Sequence, residues 1–265
     1  LYSDLAELDM QDLREDQKEF VKKVIANNDN ALMRRADELH EIIGGRVSVL
    51  PPDTRHVDYE VIPLNISDGC LYRCKFCCVK TDNAFKTREK EQVLEQISRL
   101  KEYYGDNLVN YKALFLGNHD ALAAGAGPIL YAAQKAYDEF DFATRKTPPY
   151  LYFFASVGSL LKADDSFFEE LNNLRYRSYI NIGLESVDSA TLEMLGKPIT
   201  QRQVRSAFAR ILELNRIYEN VNITANFVIG DSLQRIHLES LKELLGSVPV
   251  SQVHKTVLYL SPLQN

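Results

Sequence analysis

Cysteine is scarce in this 265-residue chain: Cys70, Cys74, Cys77 and Cys78 all fall within nine positions. A disulfide framework spreads cysteines along a chain, so this clustering excludes a disulfide-stapled secreted domain. Long apolar runs are missing too. The longest mostly apolar stretch, Tyr150 to Leu161, has 12 residues, where a membrane-spanning helix needs about 20. No charged-then-apolar start reads as a signal peptide. The expectations are no membrane partner and a cytoplasmic location. A basic excess is also lacking. The 31 Lys and Arg against 37 Asp and Glu give a net charge of −6, which argues against bulk DNA binding and leaves room for one local RNA site. Tryptophan is absent, which excludes nothing. What remains is ordinary: 45% hydrophobic and 26% charged residues fit a globular chain rather than a disordered, collagenous or coiled-coil one. The chain starts at Leu1 and stops after an apolar run, so a further C-terminal segment is expected.

The cysteine cluster is the first chemical signal. Asp68-Gly69-Cys70-Leu71-Tyr72-Arg73-Cys74-Lys75-Phe76-Cys77 spaces three cysteines as Cys-x3-Cys-x2-Cys. Three thiolates on one short loop suit three irons of a [4Fe–4S] cluster and leave the fourth iron without a protein ligand. A structural zinc site closes with a fourth ligand; only Cys78 is near, and adjacent cysteines rarely reach one ion. A ferredoxin-type site also takes a fourth cysteine. Cys78 reads as a small buried residue or a thiol hydrogen donor.

Along the chain, residues 1–58 read as a helical extension. One apolar stripe runs over Asp12–Ala26, and a second, Leu32 to Ile43, stops at Gly44-Gly45. From residue 59 strands and helices alternate. Strands are expected at 59–66, 111–116, 150–155, 179–184, 222–229 and 253–260. Helices are expected near 88–104 and 129–140, from Asp165, after Asp188, and over 202–218 and 233–245. Such alternation predicts a parallel sheet with right-handed crossovers, making 59–265 one α/β domain. Strand side chains alternate sides. Asn181, Gly183 and Glu185 share one parity, as do Asn222, Thr224 and Asn226. These polar sets should face the interior, serving either a polar cofactor or an internal hydrogen-bond network. Ala123 to Gly127 is glycine-rich but lacks a following Lys-Ser/Thr, so it is no phosphate loop.

The cysteine spacing, with aromatic Phe76 before the third cysteine, resembles the radical SAM superfamily. The resemblance covers about residues 59–262. It implies a partial (β/α)6 TIM-like barrel, with Cys70, Cys74 and Cys77 as catalytic cluster ligands and S-adenosylmethionine chelated by the free iron. It also implies an oxygen-sensitive enzyme acting on a small organic substrate, with an electron donor such as flavodoxin or ferredoxin. Two other readings stay open: modification of an RNA or peptide bound by a further domain, and a non-catalytic iron–sulfur protein. The resemblance implies cofactor contacts from Phe76, from Gly117, Asn118 and Asp120 in place of the usual Gly-Gly-Glu turn, and from Ser156, Glu185, Asn226 and Leu258. His119 is a further candidate, as a ligand or an acid/base. Glu185-Ser186 and Leu195-Gly196-Lys197-Pro198 resemble the branch that holds oxygen-independent coproporphyrinogen oxidases and methylthiotransferases, which is too broad to name a substrate. The lack of further cysteines disfavours an auxiliary cluster.

Overall fold

The computed structural model describes residues 4–5, 7–77, 79, 81, 83–249 and 253–263, apart from the side chain of Asn118. Cys78 therefore lies outside the described residues. The chain forms two compact units, residues 1–46 and 47–265.

The first unit carries helices α1 (Glu15–Ala26) and α2 (Asp29–Ile43). Asn28 caps α2 by accepting a bond from the Ala31 N–H, and Gly44 ends it in the left-handed region at φ 67°, as a C-terminal glycine does.

The second unit begins twelve residues before the boundary expected at 59. Val47, Leu50 and Val57 pack with Val61, Phe115 and Tyr152, so residues 47–58 join the barrel domain. Its elements run β1 (Val61–Pro63), β2 (Ser67–Asp68), β3 (Lys86–Thr87), α3 (Lys90–Tyr104), β4 (Ala113–Asp120), α4 (Ala126–Glu139), β5 (Tyr150–Ala155), α5 (Val157–Lys162), α6 (Asp165–Asn173), β6 (Arg177–Glu185), α7 (Ser189–Met194), α8 (Gln201–Ile217), β7 (Val221–Ile229), α9 (Arg235–Gly246) and β8 (Leu258–Pro262). Six strands form one sheet in the order β1-β4-β5-β6-β7-β8, and every pair is parallel. The parallel sheet is what the alternation predicts, and its open α/β arrangement is that of the partial TIM-like barrel implied by the resemblance.

Three strands, β1, β4 and β8, start later than the sequence suggests. Asp58 and Tyr59 sit in the left-handed region at φ 51° and 63°, which turns the chain and delays the start of β1 to Val61. Lys255 at φ 41° does the same ahead of β8, where its ammonium donates to the carbonyls of Tyr218 and Glu219. Helix α5, unpredicted, is capped by Ser156, which accepts from the Ser159 N–H.

Strand parity distributes the core. Leu114, Leu151, Phe153, Ile180, Ile182, Ile223 and Ala225 are fully buried. So are Ile97 and Leu100 of α3, Ile129 and Ala132 of α4, Phe168 of α6 and Val204 and Ile211 of α8, the apolar stripes of amphipathic helices covering a parallel sheet. The opposite parity fills the inside of the barrel. Tyr150, Tyr152 and Tyr179 cluster there with ring centroids 5.6–6.0 Å apart.

Candidate active site

The cysteine loop leaves β1 at the C-terminal end of the sheet, where barrel enzymes place their chemistry. Its base is a two-stranded antiparallel ladder between β2 and β3. Arg88, nearly buried, clamps Asp68 across that base at 2.6 Å. Gly69 lies at φ 74°, and a methyl there would run into the Ala84 carbonyl. Three further contacts pin the loop to its neighbours. The Lys75 N–H donates to the Leu195 carbonyl at 2.9 Å. His119 Nε2 bonds the Val79 carbonyl at 2.9 Å. Tyr72 lies against Gly158, where a Cβ would approach its hydroxyl to 2.6 Å. His119 thus holds the loop.

Cys70, Cys74 and Cys77 are free thiols, and all three line one cavity of about 420 Å³, a size suited to a small-molecule ligand. Burial pushes the Cys70 and Cys74 thiols up, and the nearby Lys197 opposes this at both. Among the described residues no three His, Cys, Asp or Glu side chains gather as a single metal ion requires. Three thiols facing one cavity from a Cys-x3-Cys-x2-Cys loop form a donor set that fits an iron–sulfur cluster.

Phe76, Asp120, Ser156, Glu185 and Asn226 line the same cavity. Asp120 accepts from the Ala123 N–H at 3.1 Å and from the Ser159 hydroxyl. Ser156 completes this cluster, 3.0 Å from the Ser159 hydroxyl. Gly117 does not line the cavity: it faces Asn65, whose Oδ1 would lie 3.2 Å from an added Cβ. Leu258 does not reach it either. It is the first residue of β8 and pairs with Ala225, so the C-terminal end of that strand falls at Ser261 and Pro262, which with Leu263 line the cavity instead. The side chain of Asn118 lies outside the described residues.

Lys197 was not among the expected contacts. Its ammonium pairs with Glu185 at 2.8 Å, with side chains only 6% and 9% exposed. Glu185 stands at φ 62°, a strained position for a side-chain-bearing residue, beside a register shift between Gly183 and Glu185. Gly183 leaves the room: a methyl there would strike the Glu185 carboxylate and come within 2.7 Å of the Lys197 ammonium. The next residue is anchored too. Ser186 Oγ and His237 Nδ1 are 2.8 Å apart, and His237 Nε2 lies 2.8 Å from the Val228 carbonyl. Because Nε2 must donate to that carbonyl, Nδ1 accepts from the serine hydroxyl. The Gly-Lys-Pro turn after α7 was the sequence signal for Lys197; nothing local marked His237.

Below the cavity the two polar parity sets meet. Asn181 Nδ2 donates to Thr224 Oγ1 at 2.9 Å, and Asn226 Nδ2 donates to Asn181 Oδ1 at 2.6 Å. Thr224 in turn donates to Asp53 at 2.9 Å, and Tyr259 donates to the other oxygen of Asp53 at 2.7 Å. Burial pushes the Asp53 carboxyl up, against the pull of these two hydroxyls. The internal network and the cavity wall are therefore one structure.

Residues 64–245 match the family described as the Radical SAM superfamily. No curated protein matches the chain. Among solved structures, a radical SAM methyltransferase from Sphaerobacter thermophilus is 12% identical with a TM-score of 0.56, over 77% of this chain and 56% of that one. The cobalamin-dependent S-adenosylmethionine radical enzyme OxsB, with aqua-cobalamin and S-adenosylmethionine bound, is 21% identical with a TM-score of 0.49. That match covers 71% of this chain, which spans only 26% of the OxsB chain. Methylornithine synthase is 10% identical with a TM-score of 0.45, over 89% of this chain and 62% of that one. No helix among the described residues is long and apolar enough to cross a membrane. The family match extends from the end of β1 to α9, and the cysteine loop, the Glu185–Lys197 pair and most of the cavity lining lie within it: the chain belongs to the radical SAM superfamily, enzymes whose cofactors are a [4Fe–4S] cluster and S-adenosylmethionine.

Proposed function

We propose that Cys70, Cys74 and Cys77 would hold the cluster, that S-adenosylmethionine would occupy the 420 Å³ cavity these cysteines line, and that the enzyme abstracts hydrogen from a small organic substrate. The observation that carries this reading is the convergence of three thiols, two carboxylates, one ammonium and an amide pair on a single cavity. When bound, the cluster would supply the electron for reductive cleavage of S-adenosylmethionine.

The chain's own residues bind, orient and shield. Asp120, held by Ser159 and the Ala123 N–H, offers negative charge to the cofactor's ammonium. The Lys197 ammonium, fixed by Glu185, offers positive charge to its carboxylate; charge-assisted bonds of this kind are the strong ones. Asn226 offers its amide to the ribose. Val228 and Pro262 line the same cavity and would offer apolar surface to the adenine. Phe76 and Phe154 line the same cavity and keep water from a reactive centre. A second cavity of about 390 Å³ shares Leu71, Tyr72 and Ser156 with the first, which supports a small substrate held beside the cofactor. A flavodoxin or ferredoxin as electron donor, an oxygen-sensitive cluster and a cytoplasmic location complete the reading.

The test is anaerobic reconstitution with iron and sulfide, then S-adenosylmethionine and dithionite, with 5′-deoxyadenosine measured by mass spectrometry. The wild type is expected to form it, and Cys74→Ala to fall to background with its circular dichroism unchanged. Failure of the reconstituted wild type to bind S-adenosylmethionine overturns the reading. Deuterium carried from a candidate substrate into 5′-deoxyadenosine then identifies the substrate.

A further inference from the structure

The cavity wall ends in an amide whose orientation depends on a residue far from it. Asn226 lines the cavity. Asp53 does not: it belongs to the 3₁₀ turn Pro52–Val57 ahead of β1 and is 1% exposed, beside the tyrosine cluster. Between them run Thr224 and Asn181. A threonine hydroxyl has one proton. Thr224 gives it to the Asp53 carboxylate at 2.9 Å, so toward Asn181 it accepts only. Asn181 must then turn its NH₂ to Thr224, at 2.9 Å, and its carbonyl to Asn226. Asn226 meets that carbonyl with its own NH₂ at 2.6 Å. Its Oδ1 makes only a long 3.5 Å contact to Asn181 and keeps a lone pair for a ligand.

We infer that Asp53 is a positioning residue: through Thr224 and Asn181 it orients the Asn226 amide so that the cavity presents a carbonyl acceptor to a ligand hydroxyl. Each step has a single polarity when Asp53 is ionised, because a carboxylate has no proton to give and accepts from both Thr224 and Tyr259. An amide at position 53 has a donor of its own. It allows the Thr224 hydroxyl to reverse, both asparagines follow, and Asn226 then shows its NH₂ to a ligand group that needs an acceptor. The Tyr259 hydroxyl, which bonds the other oxygen of Asp53, lies off this chain.

The inference rests on the reading that the cavity takes S-adenosylmethionine with its ribose at Asn226, and the test separates the two. Equilibrium dialysis of the cluster-reconstituted protein compares 5′-deoxyadenosine with its analogue lacking both ribose hydroxyls. Wild type is expected to prefer the hydroxylated nucleoside roughly tenfold, the worth of about one hydrogen bond. Asp53→Asn and Thr224→Val are expected to lose that preference, Thr224→Ser to restore it, and Asn226→Ala to abolish it. Tyr259→Phe costs the same buried carboxylate a hydrogen bond without cutting the chain, so it keeps the preference; a merely structural role for Asp53 would make it behave like Thr224→Val. If Asn226→Ala loses the preference while Asp53→Asn and Thr224→Val keep it, the positioning role is overturned and the ribose contact stands. If wild type shows none, or Asn226→Ala retains it, both the inference and the ribose contact fall. The superfamily chemistry is read separately by 5′-deoxyadenosine formation.

Discussion

The two ends of the barrel are built by different rules. At the N-terminal end of the strands the ladders run in regular register, from Val61 opposite Ala113 to Ser178 opposite Val221, and Tyr150, Tyr152 and Tyr179 close the interior. At the C-terminal end the register breaks twice, between Phe115 and Asp120 and between Gly183 and Glu185. Glu185 is forced to positive φ there, and an ion pair is buried beside free thiols. Bulges and strained residues gather where a side chain must be aimed. The closed end contributes stability through packing, whereas the open end spends part of it on placing charge against a cavity.

Mutations at the open end should therefore cost the most. Removing cluster ligation by Cys74→Ala takes activity to background. Lys197→Met leaves the Glu185 carboxylate buried without its partner, and breaking a buried pair from one side costs about 3 kcal/mol. Chemical denaturation is expected to show that loss. The double variant Glu185→Gln/Lys197→Met is expected to recover most of the stability and none of the affinity for S-adenosylmethionine. A double variant as unstable as Lys197→Met alone would mean that the ammonium matters for packing rather than charge. Next comes Ser186→Ala, which strips the donor from the Nδ1 of buried His237. An acceptor left without a partner costs about 1–3 kcal/mol. Because Ser186 follows the strained Glu185, affinity for S-adenosylmethionine should fall along with the unfolding midpoint. Unchanged affinity would detach the Ser186–His237 anchor from the site.

What the sequence made legible follows the same division. Cys70 to Cys77 sit on one loop, so a local pattern carried their chemistry, and the family match agrees with that reading. The alternation of β6 and β7 was plain because Ile180, Ile182, Ile223 and Ala225 interleave with Asn181, Gly183, Asn222 and Thr224. Asp188 was readable as a cap, and it accepts from the Thr191 N–H. The contacts that shape the cavity are long-range and left no local trace. Asp53 meets Thr224 across 171 positions and Ser186 meets His237 across 51. Lys197 returns to Glu185 only because α7 and the Leu195–Gly196 turn reverse the chain. Leu258 looked like a strand end because the apolar run begins at Val253; the positive φ of Lys255 moved the strand, and with it the cavity wall, toward Pro262. Asn222, Thr224 and Asn226 were recognised as one face, but whether that face served a cofactor or a network was not a property of the strand alone. It took Asp53, from outside the barrel strands, to make it both.

The closed end offers the smallest effect and a sharp check on the comparison. The Tyr152 hydroxyl is buried with no hydrogen-bond partner among the described residues, and burial drives its ionisation far above the ordinary tyrosine range. Its neighbours explain the isolation. Tyr150 stacks on its ring with planes 3° apart, Tyr179 lies tilted at 34°, and the Asp53 carboxylate bonds Thr224 and Tyr259 instead. A hydroxyl withdrawn from water without a partner costs about 1–3 kcal/mol in protein mutational data. Tyr152→Phe removes that group and keeps the ring that packs with Val61, Phe115 and Val57. The variant is expected to gain about 1 kcal/mol in chemical denaturation, with the affinity for S-adenosylmethionine unchanged, because Tyr152 does not line the cavity. A loss of stability would mean that the hydroxyl belongs to the Asp53 network. The closed end would then be part of the apparatus that aims Asn226, rather than packing beneath it.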